Sequence, residues 1–222
     1  MGPRRAIGVA QVELAPLVAV AKAAGGTVND VALTAVTGAV QELLACRGER
    51  PARLVVSVPV AAHGRDGELG NRVGVLPVSL PLAGSAGERL PVVAAITRAR
   101  KTDVPGASAA LYGPFARALA RVGAFGWFIG RQRLVNTFVT DIRGPAEVLT
   151  FGGHRIVDLI PVSPISGNVG VGFAVLGYAG RLFVTVVADA DRCPEVDGLA
   201  VLVRAQLDEL GGSGSRPDAG PR

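Results

Sequence analysis

The segment Gly25 to Gln41, GGTVNDVALTAVTGAVQ, constrains this chain more than any other, because it states where a helix begins and which face it buries. Thr27 suits an N-cap, and Asp30, three positions on, can reach back to close a capping box. Apolar residues then recur at Ala32, Val36, Ala39, Val40 and Leu43, the spacing of one buried stripe on a helix running from Val28 to Ala45. Asp30 in that place also complements the helix dipole, and its capping is worth about 0.5–2 kcal/mol.

The remaining elements follow from similar signals. Helical spacing covers Leu14 to Ala24, with Leu14, Leu17, Val18 and Ala21 on one face and Pro16 in the first turn, where proline is tolerated. It covers Ala86 to Lys101, opened by Ser85 and Glu88 in capping-box spacing, with Pro91 expected to move the start later. It covers Glu195 to Leu210, where Leu199, Leu202, Val203, Leu207 and Leu210 share a face and Gly211-Gly212 ends the run. Strand-type segments are Arg53 to Val60, Arg72 to Leu80, Val135 to Ile142, Glu147 to Ile160, Val169 to Leu176 and Leu182 to Ala188. Tyr178 to Arg181 reads as a hairpin loop, Gly144-Pro145 as a turn after the strand that carries Asn136, and Asn71 as the residue that orders a turn before its strand. Helices interspersed with strands, then a run of strands and a closing helix, predict an α+β fold with a mixed β-sheet and flanking helices. Residues 1–210 form the expected domain, and the polar, low-complexity stretch 211–222 is expected to be disordered.

Tyr112 to Arg133 admits two readings. Phe115, Leu119, Val122, Phe125 and Phe128 lie near one helical face, with Arg117, Arg121, Arg131 and Arg133 largely off it. Such a helix packs on the core, or it lies at a lipid surface with Trp127 at headgroup level. Gly123 and Gly126 weaken either helix by about 1 kcal/mol each relative to alanine.

Composition removes several function classes. A chain of 222 residues that is 49% hydrophobic can bury a sizeable core, yet no apolar run reaches the roughly 20 residues of a membrane span. The net charge of +5 is almost wholly arginine, scattered and with few aromatics, which gives nucleic-acid binding weak support and suits an anionic small molecule or membrane surface better. Cys46 and Cys193 sit on separate predicted elements, so neither a disulfide framework nor a metal site is expected, and a cytoplasmic setting is. There is no Gly-x-Ser-x-Gly elbow and no phosphate-binding loop, and Gly167, Gly170 and Gly172 form no dinucleotide fingerprint.

Five blocks in order carry a family resemblance: Thr27-Val28-Asn29-Asp30 opening a helix, RLVVSVPVA followed by LGNRVGVLPVSLP, RQRLVNTFVTDIRGP, LTFGGHRIVDLIPVSP, and LGYAGRLFVTVVAD. From about Arg4 to Leu210 the chain resembles the C-terminal half of the bacterial wax ester synthase/diacylglycerol acyltransferases. The resemblance implies one half of a chloramphenicol-acetyltransferase-like fold, with the reacting centre and an acyl-CoA tunnel between two similar halves. It implies active-site support by Asn29, Asp30, Asn71, Asn136, Asp141, Gly144 and Pro145, acyl-CoA as cosubstrate and no bound cofactor or metal. Asp141 stands where the family's Thr-Asn-Val-x-Gly-Pro turn usually has Asn, and Arg143 in its variable slot. Ionised Asp only accepts hydrogen bonds, so any role that needs donation from this side chain is altered.

In the family the catalytic base lies in a His-His-x-x-x-Asp-Gly motif of the N-terminal half, and nothing here matches it. The two histidines are His63 and His154; His63-Gly64-Arg65-Asp66-Gly67 lacks the second His and is one residue short of the Asp. His63 reads as a loop residue, and no catalytic residue is expected in this chain. Two hypotheses follow: a half of an O-acyltransferase that needs a His-bearing half in trans, or that self-associates, and a non-catalytic lipid- or acyl-CoA-binding module. A location at the periphery of a membrane or lipid droplet fits either.

Overall fold

The computed structural model describes residues 2–61, 73–102, 121, 123–142, 144–145 and 147–212. Along the chain run β1 (Arg5–Glu13), α1 (Leu14–Ala23), α2 (Val28–Cys46), β2 (Arg53–Ala61), β3 (Val73–Pro81), α3 (Ala86–Thr102), α4 (Phe125–Ile129), β4 (Thr137–Ile142), β5 (Thr150–Phe151), β6 (His154–Arg155), β7 (Val171–Tyr178), β8 (Arg181–Asp189) and α5 (Val196–Leu210). A six-stranded sheet has the order β1-β8-β7-β4-β2-β3; β4 is parallel to both β2 and β7, and the other pairs are antiparallel.

Alternation decides which face is covered. Leu182, Val184, Val186 and Ala188 of β8 and Phe173 and Val175 of β7 enter one core with Val31, Ala35 and Ala39 of α2 and Leu199, Val203 and Leu207 of α5. The intervening residues Leu176, Tyr178 and Phe183 point to the opposite face, where Ile156 and Leu159 cover them. Burial on both faces makes β7 and β8 nearly continuous apolar runs.

One strand was not expected, and two expectations are corrected. β1 is a strand that the sequence did not announce: Ala6, Ala10 and Val12 face the core while Ile7 and Val9 stay exposed, so apolar residues on both faces erase the alternation. The long strand expected from Glu147 to Ile160 is instead the two-residue pair β5–β6 around Gly152 and Gly153, both at positive φ. Its backbone is satisfied by side chains: Tyr178 Oη accepts from the Leu149 N–H (2.9 Å) and donates to the Ile156 carbonyl (2.8 Å), and the Arg181 guanidinium donates to the Val157 carbonyl. Pro91 does not delay α3, because Ser85 and Glu88 close their box first: Glu88 Oε2 accepts from Ser85 N–H (2.8 Å) and Oγ (2.9 Å).

The hairpin loop between β7 and β8 is as expected, with Ala179 (φ 50°) and Gly180 (φ 79°) as its two central residues. The segment 121–133 is no continuous helix: Gly123 has φ 70° and α4 stops at Ile129. The earlier part of that expected helix, and the expected disorder of residues 213–222, lie outside the described residues.

Candidate functional site

Asp30 is the best-connected of the residues expected to support a site. It is 2% exposed, and its Oδ2 accepts from the backbone N–H (2.7 Å) and hydroxyl (2.8 Å) of Thr27, while Oδ1 accepts from the Thr97 hydroxyl of α3 (2.6 Å). The predicted cap is therefore also a bridge between two helices. Thr97 was missed by sequence reasoning, although it sits at the i+7 place of the stripe Leu90, Val93, Ala94, and a polar residue on an apolar stripe is a usable signal. Asn29 differs from its neighbour. Its Oδ1 is buried and has no hydrogen-bond partner among the described residues.

Asn136 joins β2 to β4. Its Oδ1 accepts from the Val55 N–H (2.8 Å) and its own N–H donates to the Val55 carbonyl (2.9 Å), so an exposed side chain extends a parallel pairing that includes Val56↔Thr137 and Ser57↔Phe138. At the far end of β4, Asp141 is exposed and stands opposite Val175 in the register. Gly144 follows at a close crossing: a Cβ there would lie 1.9 Å from the Gly177 carbonyl oxygen. Only glycine fits, and the half-buried Pro145 then turns the chain away. Asn136 and Gly144 thus mark the two ends of one strand, whereas Asp30 belongs to the helical layer. Asn71, His63 and Arg143 lie outside the described residues. His154 is exposed in β6.

A second polar group was not anticipated. Arg89 of α3 is 3% exposed; it donates to the Gln206 Oε1 of α5 (2.5 Å), the Gln41 Oε1 of α2 (3.2 Å) and the Gly84 carbonyl, and Gln206 donates on to Glu42 (2.8 Å). Burial pulls the Arg89 guanidinium below its ordinary value, against the opposing charges of Glu209 and Glu42. Gly38 leaves the room, since a Cβ there would stand 2.0 Å from Gln206 Oε1. This group joins α2, α3 and α5 and is a packing device. A cavity of about 530 Å³ beside it is lined by Val20, Ala24, Leu90, Pro91, Glu209 and Leu210 among others, and none of the expected site residues borders it.

The described site residues form a capped helix start, a strand tied at both ends, and a turn that admits only glycine. Among the described residues no group of His, Cys, Asp and Glu could hold a metal ion, and no helix is long and apolar enough to cross a membrane.

A mixed sheet in this order, with helices on one face, is one half of the chloramphenicol-acetyltransferase-like fold shared by CoA-dependent acyltransferases and condensation domains. Two solved structures bear this out. The wax ester synthase/diacylglycerol acyltransferase of Marinobacter aquaeolei superposes with a TM-score of 0.74 at 22% identity, over 94% of this chain and 49% of that one. The condensation domain of the Monacolin K polyketide synthase MokA superposes with a TM-score of 0.62 at 12% identity, over 96% and 48%. Residues 69–211 match the WS/DGAT C-terminal domain, and the chain belongs to the wax ester synthase/diacylglycerol acyltransferase family. A probable diacylglycerol O-acyltransferase of Mycobacterium tuberculosis is 32% identical over 209 residues, 88% of this chain and 44% of the relative, and one from Mycobacterium bovis matches to the same extent. The chain thus spans less than half the length of these relatives.

Proposed function

We propose that this chain is the C-terminal half of a CoA-dependent O-acyltransferase of wax ester or triacylglycerol synthesis, acting as scaffold and acyl-tunnel wall for a half that carries the His-His-x-x-x-Asp-Gly motif. The observation that carries this reading is the family's C-terminal domain in a chain whose two histidines, His63 and His154, form no such motif. In the assembled site a histidine of the facing half takes the proton of an alcohol as its oxygen attacks the thioester carbonyl of acyl-CoA, the cosubstrate; the C–S bond then breaks, the ester forms, and the histidine returns the proton to the departing CoA thiolate. This chain holds the geometry: Asp30 fixes α2 against α3, and Asn136 and Gly144 fix β4. Two features favour a partner. Among the described residues the buried Asn29 Oδ1 has no hydrogen-bond partner, and Phe151 (82%), Val157 and Val162 lie exposed on the segment that follows the Gly144-Pro145 turn. Self-association over the same surface, and a resting place at a lipid surface where the apolar substrates dissolve, belong to this reading.

The test is purified chain with labelled palmitoyl-CoA and hexadecanol or diacylglycerol, alone and mixed with a separately made His-His-bearing half of a full-length relative. The chain alone is expected to give no ester above buffer, and the mixture is expected to turn over. Turnover by the chain alone that survives His63→Ala and His154→Ala would overturn the proposal. Saturable acyl-CoA binding without turnover in the mixture would favour a non-catalytic lipid-binding module.

A further inference from the structure

The segment from Trp127 to Leu134 is clamped from behind and bare in front. Gln132 Oε1 accepts from the N–H groups of Leu134 (2.8 Å) and Val135 (2.9 Å), and its Nε2 donates to Asn168 Oδ1 (2.7 Å) and the Val135 carbonyl (3.0 Å). Asn168 returns the contact through Nδ2 to the Gln132 carbonyl (2.6 Å) and through its N–H to the Ile129 carbonyl (3.3 Å). Gly167, at φ 65°, lets Ile129 lie against the backbone, since a Cβ would meet Ile129 Cγ2 at 2.2 Å. With its backbone so held, the segment turns outward Trp127, 63% exposed, and Leu134, 51% exposed. The Arg131 guanidinium lies over the Trp127 ring at 5.3 Å from its centroid, and Arg121 and Arg133 are exposed nearby in sequence.

Charge settles which occupant fits. From Val104 to Thr140 the sequence has four arginines, Arg117, Arg121, Arg131 and Arg133, and no Asp or Glu. An exposed indole under the Arg131 guanidinium, and an exposed leucyl side chain next in the chain to Arg133, match the boundary of an anionic bilayer, where the indole sits at headgroup depth and arginine meets lipid phosphate. Among the described residues of this segment two large apolar side chains are exposed, too little for a stable protein interface, which takes about 800 Å² from each partner. We infer that Trp127 and Leu134, flanked by Arg131 and Arg133, form an anchor that docks this domain on an anionic lipid surface. The inference rests on the lipid-surface location proposed above and assigns it to named residues.

Trp127 is the only tryptophan, so its fluorescence reports this patch alone. The chain is titrated with phosphatidylcholine vesicles with and without about one-third phosphatidylglycerol, and with vesicles carrying brominated acyl chains. The expected result is a blue shift on the anionic vesicles, quenching by the brominated chains, and co-sedimentation. Arg131→Glu with Arg133→Glu should weaken partitioning at least about 25-fold, at roughly fivefold or more for each arginine lost. Leu134→Ser should weaken it several-fold, and Arg131→Lys should retain it, with circular dichroism unchanged throughout. Undiminished co-sedimentation of a Trp127→Ser/Arg131→Glu variant would overturn the anchor and leave the lipid-surface location standing. No vesicle binding by the unaltered chain would remove both, while the acyl-transfer reading is scored separately by turnover of short-chain substrates in solution. A blue shift that grows with protein concentration in the absence of vesicles would reassign the patch to self-association.

Discussion

Asp30 commits its whole carboxylate to the fold, and Asn29 beside it commits nothing through its oxygen. The two therefore carry different expectations for stability. Asp30→Ala removes a helix cap and a bridge to α3, so it should lower the unfolding free energy by about 2–3 kcal/mol. Thr97→Val keeps the shape but strands Asp30 Oδ1, at a cost of about 1–2 kcal/mol. Asn29→Ala deletes an acceptor that already lacks a partner and should change stability by less than about 0.5 kcal/mol, while impairing ester synthesis in the reconstituted mixture. Urea midpoints of the three variants decide the matter. An Asn29→Ala variant less stable than Asp30→Ala would refute the assignment of the cap.

Among the elements, β4 is the shortest strand of the large sheet and holds its place through its ends. Asn136 ties its start to Val55, the Thr137 hydroxyl donates to the Val171 carbonyl (2.8 Å), and the backbone of Gly144 passes directly over Gly177. Gly144→Ala drives a methyl group into a carbonyl oxygen that cannot move without breaking the β7–β8 hairpin, so a loss of about 2–3 kcal/mol or more is expected. Gly87→Ala is the contrast. A methyl group there meets nothing within 4 Å, and in α3 it should stabilise by about 0.5–1 kcal/mol. Thermal denaturation of the two variants should move the midpoint in opposite directions; a neutral Gly144→Ala would show that β4 and β7 can separate without cost.

At the scale of the whole molecule, carboxylates held by donors make the fold sensitive to acid. Burial alone would push the Asp189 carboxyl up, but the backbone N–H groups of Gly2 and Asp191 and the charge of Arg5 outweigh it and hold it below its ordinary 3.8. The Arg47 guanidinium keeps Glu195 below 4.5, and the Ser85 N–H and hydroxyl do the same for Glu88. Each group is depressed in the folded state, so its stabilisation is complete above the unfolded-state value and disappears as pH falls through the folded-state value. Stability is expected to be level down to about pH 5 and to decline below the ordinary values of 4.5 and then 3.8. Asp189→Asn should flatten the lower part of that decline. Denaturant titrations at several pH values check it, and an unaltered acid profile in Asp189→Asn would rule Asp189 out as a contributor.

What the sequence determined by itself was local and periodic. The Thr27–Asp30 and Ser85–Glu88 boxes, the apolar stripe of α5 and the turn at Ala179-Gly180 are set by residues within a few positions of one another, and their physics is complete at that range. The ordered blocks also disclosed the family, because they survive as a pattern even where no single residue is decisive. Tertiary structure decided the rest. β1 exists because β8 pairs with it, since its own residues are apolar on both sides. The expected strand after Glu147 is interrupted because Tyr178 and Arg181, distant in sequence, take its backbone groups. Thr97 with Asp30, Gln206 with Arg89 and Asn168 with Gln132 meet across 67, 117 and 36 residues. A hydrogen bond closes over such a distance only after the sheet and helices have brought its partners together, and no spacing along the chain records it.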